Sequence, residues 1–243
     1  MRLTSFVITL ILSSSLIAQE GAVWRAASKE SEEYHEYRVK PTVPPHGLAK
    51  VKALIKDIKV DEDDTEALAR NVYESLSLRE KFTYNMIHAE SYSQNCDANP
   101  PIQEEHKKIF GYLPDAFGEY AWSDRQSGFL RANRDSVISL MKESITRSKR
   151  VGVNFKHAII EINAREMIPF IIAAYAEIKK DLDLLTVLLL LMKENEYDPF
   201  IASASYRKLY SDESNYAAFL VFSKGNEELI IKRATDFYNA GKK

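Results

Sequence analysis

The chain has 243 residues, of which 33 are basic and 35 acidic, for a formal net charge of −2. The two signs are well mixed, so no basic surface is expected for nucleic acid or for an anionic membrane. Cys96 is the only cysteine, which excludes an internal disulfide framework and a thiolate metal site.

Residues 1–18 read as a secretory signal peptide. Met1 and Arg2 give a positive start, residues 6–12 with Leu16 and Ile17 an apolar core interrupted by Ser13 to Ser15, and Ala18 a small residue before Gln19. The apolar part is well short of the ~20 residues a bilayer span needs, so no membrane span is expected. The expectation is an exported protein, periplasmic or secreted. One cysteine in an exported chain points to a bacterial origin.

Residues 19–45 show little periodicity and end in Pro41, Pro44 and Pro45, which hold the backbone extended. They are expected to form an extended N-terminal arm ahead of a single all-helical domain over residues 46–243. Helical signals then follow closely. Leu48, Val51, Leu54, Ile55 and Ile58 recur at three and four, and the acidic run at residues 61–64 suits the start of a second helix carrying Leu68, Val72 and Leu76. Ser77 with Glu80 and Ser123 with Gln126 have capping-box spacing and open two more helices, the first predicted to reach Tyr92.

Between them, residues 93–122 form the one long irregular region, with a predicted helix over residues 102–110. Further helices are predicted from Ser123 to about residue 148, from Asn154, from Pro169, over residues 199–210, and over residues 216–238 with a break at Gly225. The stretch from Leu182 to Asn195 is apolar on every side of a helix through its middle, so it must be a buried central helix. Glycine-based hairpin signals are absent and strand patterns few. The fold class is all-α, with about eight to ten helices, arranged either as a compact bundle or as an irregular α-solenoid of the HEAT or armadillo kind.

Nine aromatic residues lie between Glu80 and Leu130, mixed with hydrogen-bonding groups. Such a mixture suits a pocket that stacks on a sugar or grips a peptide, and it equally suits a long loop pinned to its own core. If the stretch binds a ligand or a protein partner, Tyr84, Asn85, His88, Trp122, Asp124 and Arg125 are the candidate binding residues. Glu80, Tyr84 and His88 share one side of a continuous helix, which makes His88 a candidate general base for a hydrolase or lyase, with Glu80 or Glu90 beside it. A purely structural role is the third reading.

No metal site is expected, because the five histidines form no His-x-x-x-His pair. No cofactor is expected either: a phosphate-cradling glycine loop, a dinucleotide fingerprint and a nucleophile elbow are all missing.

Overall fold

The computed structural model describes residues 26–60, 65–93 and 103–241. The predicted signal peptide, the acidic run at residues 61–64 and Cys96 lie outside the described residues. Among the described residues the first half contains α1 (Lys29–Val39), α2 (Leu48–Lys56), α3 (Arg70–Ser75), α4 (Leu78–Ile87), and the short strands β1 (Ser91–Tyr92), β2 (Lys108–Phe110) and β3 (Tyr120–Ala121). The second half contains α5 (Asp124–Ala132), α6 (Arg134–Ser148), α7 (Val153–Glu161), α8 (Ile168–Ile178), α9 (Asp183–Glu194), α10 (Asp198–Ile201), α11 (Ala204–Tyr210), β4 (Phe219–Val221) and α12 (Lys224–Ala240).

The all-α class holds, built around α9. Each residue from Asp183 to Met192 is buried, and α7, α8, α10, α12 and β2 all pack against it. A helix with no polar face has nothing to offer solvent, so it is stable only as the shared wall of a core. Leu184, Leu188 and Leu191 are fully buried in a cluster that runs on through Phe155, Met167, Phe200 and Ala234. A smaller cluster of Val51, Leu68, Tyr73, Leu76 and Tyr84 lies under α2 and α3.

Among the described residues there are twelve helices against an expected eight to ten, and the physical reasons are local. The helix predicted after Ser123 divides at Asn133 into α5 and α6, and the one predicted over residues 199–210 divides where Ser203 caps α11. Gly225 sits in the first turn of α12, behind the Ser223 cap, and breaks nothing. The helix expected over residues 102–110 is instead a 3-10 turn followed by β2. That strand pairs antiparallel with β4, Ile109 opposite Leu220, and Thr186 of α9 donates its hydroxyl to the Phe110 carbonyl at 2.8 Å. β1 and β3 form a second antiparallel pair with Tyr92 opposite Tyr120. Strands of two or three residues are too short to show alternation in a sequence.

The extended arm expected at residues 19–45 is helical over Lys29–Val39. Ser28 caps α1 by accepting from Ser31 N, and Glu30 and Glu32 lie in its first turn, where the helix dipole favours acids. The buried face of α1 is Ser31, Tyr34 and Arg38, at three and four spacing but not apolar, so hydrophobic periodicity has nothing to detect. Downstream, Thr42 is clamped to the start of α7. Its amide donates to Asn154 Oδ1 at 2.9 Å and its hydroxyl accepts from Gly152 N at 2.8 Å. A side chain at residue 152 would begin 2.0 Å from Thr42 N, so only glycine permits this approach.

Candidate functional site

Two capping boxes place the aromatic stretch. Ser77 and Glu80 start α4, Ser123 and Gln126 start α5, and the second box is also a crossing point between the two helices. Gln126 Oε1 accepts from Ser123 N and from Glu90 N, each at 3.1 Å. Its Nε2 donates to Asn85 Oδ1 at 3.2 Å and to the His88 carbonyl at 2.9 Å. Trp122 Nε1 donates to the Asn85 carbonyl at 2.6 Å. These bonds draw the chain out of the helix, so α4 ends at Ile87 and not at the expected Tyr92; His88 is its extended C-cap.

Glu90 is the hub. Its carboxylate accepts from Tyr84 Oη at 2.7 Å, from Ser123 Oγ at 2.5 Å and from Arg125, whose Nε and Nη2 both reach it, at 2.8 Å and 2.5 Å in the closest pairs. Arg125 also donates to the Leu68 carbonyl and lies over the Tyr73 ring at 4.5 Å. Burial opposes ionisation of Glu90, but the bonds from Arg125, Ser123 and Tyr84 outweigh it and hold the carboxyl below its usual range. Burial, with the Glu90 carboxylate beside it, pushes the Tyr84 phenol well up.

Of the residues singled out from sequence, Tyr84, Asn85, Glu90, Trp122 and Arg125 therefore meet in one network. His88 borders it: Nε2 donates to the Glu66 carbonyl at 2.5 Å, and the ring packs 5.2 Å from that of Tyr84. Asp124 is exposed at the first turn of α5. Glu80 stands at the far end of α4, where it closes its own capping box and pairs with Lys50 at 3.0 Å. The expected row of Glu80, Tyr84 and His88 on one helix side does not form, because the helix stops before His88.

On the outer side of the network the β1–β3 pair carries one aromatic contact and the residues flanking β3 carry another. Tyr92 meets Tyr120 edge-on at 5.8 Å, and Phe117 meets Trp122 at 5.6 Å. Tyr92 is 41% exposed, and Tyr120 bonds its hydroxyl to Glu66.

A second constellation lies under α1 and has no counterpart in the sequence reading. Arg38 donates to Asp183 through Nε and Nη2 and to Glu105 through Nη1 at 2.9 Å, with the Phe110 ring 4.3 Å from its guanidinium carbon. His35 Nδ1 contacts the other Glu105 oxygen at 2.9 Å. Lys156 Nζ lies 2.6 Å from Asp181 Oδ1 and 3.5 Å from Asp183 Oδ2. Lys156, Asp181, Asp183, Arg38 and Glu105 are all almost fully buried. Two signals in the sequence point here: Lys156 lies among the apolar residues of α7, and Asp183 opens the stretch that reads as a buried central helix.

Among the described residues no group of three or more histidine, cysteine or acidic side chains is placed to hold a metal, and no helix is long and apolar enough to cross a membrane. Compared with protein families, curated proteins and solved structures, the chain matches none.

Proposed function

We propose that the protein is an exported helical binding protein that presents Tyr92 and Tyr120, flanked by Phe117, Trp122 and Asp124, to a peptide or protein partner carrying basic side chains. Export rests on the leader-like residues 1–18. The observation that supports binding is the Tyr92–Tyr120 pair, with rings inclined at 73° and Tyr92 41% exposed. Tyrosine faces attract ammonium and guanidinium groups, and Glu66, bonded to the Tyr120 hydroxyl, and the neighbouring Glu119 add negative charge beside the pair. Beneath them the Glu90–Arg125 network holds both backbones, so the rings are in place before a partner arrives and little ordering entropy is lost on binding.

The test is a melting-temperature titration of the protein with an oligolysine peptide and, separately, with a panel of oligosaccharides. A ligand at a hundredfold excess over its Kd stabilises the native state by about 2.7 kcal/mol. Oligolysine is expected to raise the melting temperature, and Tyr92→Ala, at an exposed position, is expected to fold normally and lose the shift. A response to saccharides alone would move the platform to sugar binding. A shift that persists undiminished in Tyr92→Ala would sink it.

A further inference from the structure

Lys156 and Asp181 share a geometry that goes beyond an ion pair and is independent of the binding surface. Both side chains are 0% exposed, and their polar atoms approach to 2.6 Å. Asp181 Oδ2 is buried and has no hydrogen-bond partner. Asp183 Oδ2 stands 3.5 Å from the same nitrogen and is held by Arg38 on its far side. Tyr37 lies close enough to Asp181 for its phenol to feel that carboxylate. An amine this near a carboxyl oxygen stands roughly 3–3.5 Å from the carboxyl carbon, within the reach of a near-attack arrangement.

We propose that the folded chain joins Lys156 Nζ to Asp181 Cγ as an intramolecular amide, with loss of one water and Asp183 as the proton carrier. The ammonium proton passes along the 2.6 Å bond to Oδ1, leaving a neutral amine beside a carboxylic acid. Burial, together with the charge of Asp183, already raises the Asp181 carboxyl above its ordinary range, which favours the acid form needed for attack. The nitrogen lone pair then adds to Cγ and places negative charge on Oδ2.

Asp183 takes the surplus proton from nitrogen and returns it to the Oδ1 hydroxyl. The C–O bond breaks, water leaves, and Asp183 is again a carboxylate. Nothing is oxidised or reduced. Although burial opposes it, the Arg38 guanidinium and the Lys156 ammonium hold Asp183 below its usual range, so it begins the step as the base.

The bond removes two buried charges whose desolvation is costly, and it abolishes the unpartnered oxygen as a carboxylate. It ties α7 to the turn between α8 and α9. A chain with one cysteine has no intramolecular disulfide with which to do the same.

The experiment is tryptic mapping and intact mass spectrometry of the purified full chain under denaturing conditions. The wild type is expected to lack the mass of one water. It should yield a branched peptide joining residues 151–165 to residues 181–193, uncut after Lys156 because an acylated lysine is no longer a trypsin site. Asp181→Ala is expected to restore the full mass and the cut. A folded wild type of full mass, cut after Lys156, overturns the proposal, and this measurement decides alone if the variant does not fold.

Discussion

Arg38 grips Asp183 across 145 positions of sequence, with Nε donating to Oδ2 at 3.2 Å and Nη2 to Oδ1 at 2.9 Å. This fork is how a helix that sends only the Tyr34 ring into the apolar core stays docked on it. The α1 side chains that reach inward, Ser31, Tyr34 and Arg38, all end in hydrogen bonds: to His106, to the Leu182 amide, and to Glu105 and Asp183. Asp183 in turn opens α9, so the polar anchor of the first helix sits at the end of the central one.

Removing one side of a buried ion pair is worse than never having had it, because the remaining charge keeps its desolvation cost. Arg38→Met should therefore destabilise by about 3–5 kcal/mol, the range for breaking a buried pair. The double variant with Asp183→Asn should lose less than the two single losses added together. Urea unfolding of the four proteins gives the comparison, and strict additivity would mean that Arg38 and Asp183 are not energetically coupled.

Leu188 lies in the middle of α9 with no exposed surface. Leu188→Ala removes three carbons and leaves a cavity that close-packed neighbours fill only in part, at about 2–5 kcal/mol. The exposed Leu229 of α12 is the internal control, because Leu229→Ala opens no cavity and should change stability by less than about 0.5 kcal/mol. Equal losses at the two sites would contradict the placement of α9 as the central helix.

How much of this was legible in the chain follows from what each element is made of. α9 was plain because its signal is apolar composition, and the caps at Ser77 and Ser123 were plain because the motif is local and four residues long. The convergence of Tyr84, Asn85, Glu90, Trp122 and Arg125 was only suggested, by crowding of aromatics, since nothing in the sequence tells Gln126 to reach Asn85 and the His88 carbonyl. α1 was invisible because its buried face is polar. The pairing of β2 with β4 joins segments more than a hundred residues apart, and each is three residues long.

Glu90 carries the network between α4 and α5, and its titration should be visible in stability. Its folded carboxyl is held below the ordinary value, so its contribution is complete above the unfolded carboxylate range near pH 4.3 and is lost as pH falls through the folded value. Glu90→Gln leaves the Arg125 guanidinium, part of which reaches solvent, without its carboxylate, and should cost about 1–3 kcal/mol at neutral pH. The gap between variant and wild type should narrow in acid. A gap that is constant from pH 7 down to pH 3 would show that the Glu90 charge plays no part.

His157 gives a second pH signature, in a different window. Its Nε2 donates to the Pro114 carbonyl at 2.8 Å, which pins the loop between β2 and β3 to α7. Burial lowers its pKa in the fold despite that bond and the nearby Asp115. The unfolded chain therefore takes up a proton near pH 6.5 that the folded chain still refuses, so stability is full above that pH and declines as pH falls toward the folded value. His157→Gln keeps a donor for Pro114 and removes the titration. Chemical denaturation at pH 8, 6.5 and 5 should show a slope in the wild type between the last two that is shallower in the variant. An identical slope in both proteins would assign that pH dependence to other groups.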